Sequence, residues 1–293
     1  MKTYGIVGKN ISYSLSPCMH NAAFKMLGMD AEYKIFDIPE NKLDDFFSRL
    51  RKGEISGCNV TIPYKEKALD YIDKPDNMVK AVGALNTVVN KNGVLEGHNT
   101  DFEGFINALT GSAEGDLNFE PGGRSVFVFG AGGAAKTVVF SLLKWSPKAV
   151  KKIAITDIDI NKAKRLANFV EKQDHSTLIT VVGDREQYND FISKSDLLVN
   201  ATPCGMKADD PPLFDYRYIH ERLFVFDLVY ARNTPLVKET RLRGAKAING
   251  LNMLLDQAAE AFECYWVESA EHHDKILTAM KKALIENIKL IGL

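Results

Sequence analysis

The sequence predicts an α/β fold in two domains, and three observations carry that expectation. Short strand-like runs alternate with helical stretches along most of the chain, the pattern of a largely parallel sheet with helices between its strands. From residue 125 onward those runs are almost continuously apolar, as strands covered on both faces are. Between the two sets lies GSAEGDLNFEPGG, rich in glycine and acidic residues and without periodicity, which reads as a surface loop or linker.

Residues 4–7 form the first strand candidate, stopped by Gly8. Ser16-Pro17 then opens a helix to about residue 28, with Ser16 as N-cap and Pro17 at the first helical position. Residues 33–38 form a second strand, residues 42–51 an amphipathic helix, residues 57–62 a third strand, and a further helix follows Pro63. Asn92-Gly93 between apolar runs marks a hairpin over residues 88–96. In the second half, SVFVFG, KKIAIT, TLITVVG, DLLVNAT and LFVFDLVY are strands, the first four separated by helices. The C-terminal stretch is helical, and Ile276, Met280 and Leu284, spaced four apart, form an apolar stripe that reads as packed core.

Composition bounds the function. A chain of 293 residues fits two domains, and 45% hydrophobic content excludes disorder. Lys and Arg total 37 against 38 Asp and Glu, a net charge of −1 that argues against nucleic acid as the main partner. No apolar run approaches the roughly 18 residues of a membrane span. Cys18, Cys58, Cys204 and Cys264 lie far apart and read as reduced thiols. The N-terminus, MKTYGIVGKN, has no secretion-signal pattern, so a cytoplasmic location is expected.

Gly130-Ala-Gly-Gly-Ala-Ala135 sits between an apolar strand and an apolar helix. That arrangement turns backbone N–H groups and a helix dipole toward a phosphate, with Gly130 making the turn and Gly132 admitting the pyrophosphate. A second strand follows, ending in Thr156-Asp157-Ile158-Asp159. A carboxylate there accepts from ribose hydroxyls and repels a 2′-phosphate, which points to NAD over NADP; alternatively Asp157 caps the next helix. None of the six histidines has zinc-site spacing, so no metal is expected and the proton acceptor must be another side chain.

Further motifs occur in order: Ser14-Leu-Ser16-Pro17, Asn59-Val-Thr61-Ile-Pro63-Tyr-Lys65, Gly83-Ala-Leu-Asn86-Thr87 and Gly97-His-Asn99-Thr100-Asp101 before the glycine loop. Asn200-Ala-Thr202-Pro-Cys-Gly205-Met, Asp227-Leu-Val-Tyr230 and Gly250-Leu-Asn-Met253-Leu-Leu-Asp-Gln257 come after it. This succession resembles the shikimate/quinate dehydrogenase family from about residue 4 to the C-terminus. The resemblance implies an N-terminal α/β substrate-binding domain over residues 1–107, completed by helices from 250–293. It also implies a doubly wound Rossmann-type dinucleotide-binding domain over residues 108–249, with the active site in the cleft between them.

By the same resemblance Lys65 and Asp101 form the catalytic pair, although taken singly Lys65 reads as a solvated lysine and Asp101 as a helix-start acid. Ser14 and Ser16 bind the substrate carboxylate, where on local grounds Ser16 could only cap a helix. Asn59, Thr61, Asn86 and Gln257 hydrogen-bond ring hydroxyls, and Tyr230 lies near the carboxylate or is a core aromatic. Gly130, Ala131, Gly132, Gly133, Ala134 and Asp157 belong to the cofactor site, with Thr202, Gly205, Gly250 and Met253 as further contacts.

Where many shikimate-specific members read Asn-Arg-Thr and bind NADP through the arginine, this chain reads Asp157-Ile158-Asp159, like the NAD-using branch. Ser16 stands where some quinate-active members carry threonine, which leaves room for shikimate as the better substrate. The expectation is therefore a metal-independent, NAD-dependent oxidation of the C3 hydroxyl of shikimate, and possibly quinate, by a monomer or homodimer. NADP use, an aminoshikimate dehydrogenase and a non-catalytic dinucleotide sensor are the competing readings.

Overall fold

The computed structural model describes residues 1–111, 113–207, 209–230, 232–267 and 272–290, with Cys264 described in its backbone alone. The chain divides into two compact units, Met1–Gly104 with Leu254–Leu293, and Phe105–Met253. The expected boundaries at 107/108 and 249/250 are thus displaced by a few residues. Phe105 sides with the second unit because its buried ring stacks on Phe226, with centroids 5.1 Å apart.

The first unit is a mixed six-stranded sheet. Its strands are β1 (Lys2–Gly8), β2 (Ala31–Asp37), β3 (Gly57–Val60), β4 (Lys74–Pro75), β5 (Thr87–Lys91) and β6 (Val94–His98), in the order β2-β1-β3-β5-β6-β4. β1 runs parallel to β2 and β3, whereas β5 is antiparallel to both β3 and β6. Asn92 and Gly93 turn the β5–β6 hairpin with φ of 55° and 87°, the left-handed values such a turn requires. The helices are α1 (Ser16–Met26), α2 (Leu43–Arg51), α3 (Asn77–Val82) and the first turn of α4 (Asp101–Thr110), whose residues from Phe105 onward belong to the second unit. α2 buries Leu43, Phe46, Phe47 and Leu50 in a cluster with Val60, Tyr64, Leu85 and Val88.

Two local expectations are corrected. Ser16 is the first residue of α1 rather than its cap; Leu15 holds the cap position, and its side chain makes no capping hydrogen bond. The stretch after Pro63 forms a short 3₁₀ turn, Lys67–Tyr71, instead of an α-helix. The Lys65 carbonyl already accepts the N–H of Leu85, and Leu69 N–H reaches back only to Glu66, so no regular helix starts there.

The second unit holds β7 (Ser125–Phe129), β8 (Lys152–Thr156), β9 (Leu178–Val181), β10 (Leu197–Asn200), β11 (Phe224–Asp227) and β12 (Lys246–Asn249). All are parallel, in the order β12-β11-β10-β7-β8-β9. This is the doubly wound dinucleotide-binding order, which reverses direction between β7 and β10 and opens a crevice beyond their carboxyl ends. Its helices are α5 (Gly133–Trp145), α6 (Ile160–Gln173), α7 (Tyr188–Ser193) and α8 (Pro235–Leu242). β12 escapes the sequence pattern because Lys-Ala-Ile-Asn carries a single large apolar residue. α9 (Leu251–Glu260) leads back to the first unit, where α10 (His273–Leu290) packs along α1 and buries the expected stripe of Ile276, Met280 and Leu284. Among the described residues no helix is long and apolar enough to cross a membrane, and Cys18, Cys58 and Cys204 are free thiols.

His20, on α1, is fully buried. Its ring stacks on Tyr33 at 4.3 Å and lies near Phe262 and Trp266, and neither ring nitrogen has a hydrogen-bond partner. Burial in this aromatic box penalises the cation and pushes the imidazole down to about 3. In the unfolded chain the ring protonates near its ordinary value of about 6.5. Below that pH the unfolded state takes up a proton that the folded state refuses, so stability present above pH 6.5 is lost as pH falls toward 3. His20→Phe should flatten the acid limb of unfolding free energy against pH, from denaturant titrations, by up to about 1.4 kcal/mol per pH unit. An unchanged limb in the variant would refute this account.

Candidate active site

The first unit gathers polar side chains at the ends of β3, β5 and β6. Lys65, five residues past the end of β3 at Val60, reaches the carboxylate of Asp101, the first residue of α4; Nζ and Oδ2 form an ion pair. The Lys65 side chain is 17% exposed and that of Asp101 6%, so the pair is largely shielded from water and from salt. Asn99 Oδ1 accepts the Asp101 N–H at 3.1 Å, closing a turn that aims the carboxylate.

Asn86, which follows the left-handed Gly83 and precedes β5, organises the rest. Its Nδ2 lies 2.9 Å from Thr100 Oγ1, 3.1 Å from Asp101 Oδ1 and 3.1 Å from Gln257 Oε1. Its Oδ1 accepts from Thr100 N–H at 2.8 Å and from the Thr87 hydroxyl at 3.0 Å. The Thr100 hydroxyl in turn donates to the Gln257 carbonyl at 2.9 Å. Both oxygens of Asp101 are thereby assigned, one to Lys65 and one to Asn86.

Four of the expected residues thus meet: Lys65, Asp101, Asn86 and Gln257. Asn59 joins them from beneath. Its Oδ1 accepts from the Tyr33 hydroxyl at 2.6 Å, and its Nδ2 donates to the Asn86 carbonyl and Thr87 Oγ1, each at 3.1 Å. With both amide hydrogens engaged inside the unit, Asn59 acts here as a brace. Ser14 and Ser16 face each other, hydroxyl oxygens 3.3 Å apart, and the Ser16 N–H donates to Ser14 Oγ. Tyr33, Thr87, Asn99 and Thr100 are members that sequence reasoning missed. Asn99 and Thr100 were visible as polar residues wedged between a strand and Asp101; Tyr33 lies too far along the chain to carry any such signal.

In the second unit the glycine turn begins with Gly130, at φ 105°, where a Cβ would stand 2.9 Å from the Ala201 carbonyl. Gly132 caps α5, and a Cβ there would meet no protein atom. The first-turn N–H groups of α5 lack intrahelical partners by geometry and face that opening. Asp157 Oδ2 accepts the Ala131 N–H at 2.8 Å and Oδ1 the Asp159 N–H at 2.9 Å. The cap of α6 is Asp159, whose Oδ1 accepts from Asn161 N–H, so Asp157 does not cap the helix. Ile158 between them is fully exposed. Thr202 Oγ1 donates to Asn200 Oδ1 at 2.7 Å, and Gly205, at φ 100°, donates its N–H to Asp210. Gly250 follows β12, Met253 is buried, and Tyr230 is half-buried after β11.

A family profile described as the shikimate dehydrogenase substrate binding domain matches residues 6–88. A shikimate dehydrogenase (NADP(+)) from Nitrosopumilus maritimus is 36% identical over 286 residues, covering 97% of this chain and 98% of its own length. The chain belongs to the shikimate dehydrogenase family. It is an oxidoreductase of that family and works with a dinucleotide cofactor, which the geometry around Gly130–Ala134 fits. The crystal structure of shikimate 5-dehydrogenase from Listeria monocytogenes, in complex with shikimate and NAD, superposes with a TM-score of 0.79 at 32% identity, covering 94% of this chain and 95% of that one. Quinate dehydrogenase from Corynebacterium glutamicum in complex with NAD has a TM-score of 0.81 at 27% identity, covering 96% and 99%.

The two glycines separate folding from binding. Gly130→Ala should cost roughly 1–3 kcal/mol in denaturant titrations, through strain at positive φ and a backbone clash. Gly132→Ala should leave stability within about 0.5 kcal/mol and weaken dinucleotide binding at least tenfold, read by fluorescence of bound reduced cofactor. Binding as tight as in the parent would refute the assignment of the opening to the pyrophosphate.

Proposed function

We propose that this protein catalyses the reversible NAD-dependent oxidation of the C3 hydroxyl of shikimate to 3-dehydroshikimate, with quinate as a second substrate. The observation that carries the proposal is the shielded Lys65–Asp101 pair, braced by Asn86 and Gln257. When bound, the dinucleotide supplies the hydride acceptor. Lys65 Nζ holds the C3 oxygen by a hydrogen bond and stabilises charge growing there as the C–H bond breaks. The hydroxyl proton passes to the Lys65–Asp101 pair, and in the reverse direction the pair returns it to the carbonyl oxygen. Asn86 keeps Asp101 Oδ1 engaged, so that Oδ2 stays turned to the lysine. Ser14 and Ser16 bind the substrate carboxylate through their paired hydroxyls, Thr61 and Gln257 meet ring hydroxyls, and Tyr230 lies beside the carboxylate.

Asp157 and Asp159 support NAD, since two carboxylates flanking Ile158 repel a 2′-phosphate and offer acceptors to a ribose diol. The Listeria and Corynebacterium structures, both with NAD, agree with that preference. The relatives described as NADP(+) enzymes favour the second reading, NADP with shikimate.

A two-by-two assay of shikimate or quinate with NAD or NADP, followed by absorbance of the reduced cofactor, decides between them. NAD should exceed NADP in kcat/KM by at least tenfold, and the double substitution Asp157→Asn, Ile158→Arg should reverse the order. NADP preference in the parent establishes the second reading instead. Lys65→Ala should lower kcat by about 10²–10⁴ while shikimate still binds. Full turnover in that variant would remove Lys65 from the chemistry.

A further inference from the structure

We propose that Asp227 is a positioning residue that holds the two loops carrying Thr202 and Tyr230 in their working register. The proposal deepens the reading above, in which those loops serve the cofactor and the substrate carboxylate.

Asp227 ends β11 and is completely buried. Its Oδ2 accepts from the Thr234 hydroxyl at 2.5 Å, and its Oδ1 from Asn200 Nδ2 at 2.8 Å and Val229 N–H at 3.1 Å. All three donors are neutral, and a carboxylate is the one side chain that accepts from all of them without offering a competing donor. Burial raises this carboxyl, and even against the opposing pull of the three hydrogen bonds it stands at about 6.

Each bond leads into a loop the function uses. Asn200, at the end of β10, donates also to the Cys204 carbonyl at 3.0 Å and accepts from both Thr202 N–H and Thr202 Oγ1. Asp227 therefore sets the amide that shapes residues 201–205. Val229 N–H fixes the first step of the segment leading to Tyr230, and Thr234 fixes its end, since the same hydroxyl caps α8 by accepting from Val237 N–H. The two loops also touch: a Cβ on Gly205 would stand 3.1 Å from Thr234 Cγ2. The Gly250 N–H reaches the Val229 carbonyl, so the segment before Met253 leans on the same backbone.

The test uses the full chain carrying Asp227→Ala, Asp227→Asn or Thr234→Val, with Tm, binding of NADH and NADPH by fluorescence, and kcat and KM measured well below each Tm. Asp227→Asn keeps an acceptor toward Asn200 and Val229 and should stay within threefold of the parent. Asp227→Ala should raise the dinucleotide Kd and lower kcat, each at least tenfold, in protein that circular dichroism shows folded. Thr234→Val, which removes one bond, should fall between and decides the matter alone if Asp227→Ala does not fold. A lower Tm with parental Kd and kcat in Asp227→Ala, or parental values in Thr234→Val where that variant decides, would overturn the proposal and leave Asp227 a packing residue. Absence of turnover on shikimate and quinate in the parent would instead overturn the proposed function, and the Kd comparison would still decide the role of Asp227.

Discussion

Asn86 is the interaction on which the first unit depends. A buried amide must find partners for two hydrogens and for its oxygen, and here those partners come from a strand, a helix start and a helix that returns from far along the chain. Thr100, Asp101 and Gln257 are separated from Asn86 by up to 171 positions, yet each is fixed by the same side chain. The lysine–carboxylate pair is then a consequence: once Asn86 takes one oxygen of Asp101, the other is left to Lys65. Replacing the amide with an apolar group would strand several buried donors and acceptors together, which costs more than the sum of weak surface contacts.

Asp227 plays the matching part in the second unit. Both groups stand where the backbone leaves or enters the sheet and must turn without ladder partners. In a parallel sheet, carboxyl-terminal turns collect the functional side chains, and a buried polar group beneath them converts loose connections into defined ones. The bonds to Asn200, Val229 and Thr234 show how few contacts achieve this.

Much of this was legible in the sequence, for reasons that differ by residue. The glycine turn could be read because positive φ at Gly130 and an open Cβ direction at Gly132 permit almost nothing else. The Asn92-Gly93 hairpin was visible on the same ground. Local pattern failed where tertiary contacts decide. The helix expected after Pro63 is forestalled by Leu85, whose N–H takes the Lys65 carbonyl. Ser16 had the residue type of a cap but stands one position inside α1. The bonds that Asn59 makes to Tyr33 and Thr87 likewise carry no local signal. No one-dimensional pattern shows that a tyrosine on β2 and an asparagine on β3 share a hydrogen bond.

In the proposed reading Asp157 serves structure and selection at once. Two of its acceptor positions are filled by the N–H groups of Ala131 and Asp159, which tie the glycine turn to the end of β8. A carboxylate has about four such positions, so roughly two remain for the hydroxyls of a ribose. The charge, unlike the lone pairs, is not used up by those bonds: a 2′-phosphate placed beside Asp157 and Asp159 would meet like charge on both sides, with the uncharged Ile158 between them. Asparagine at 157 would keep one acceptor and lose the repulsion, while arginine at 158 would add a fork matched to phosphate. In the proposed reading, preference between the two dinucleotides turns on three adjacent residues of a chain whose net charge is only −1.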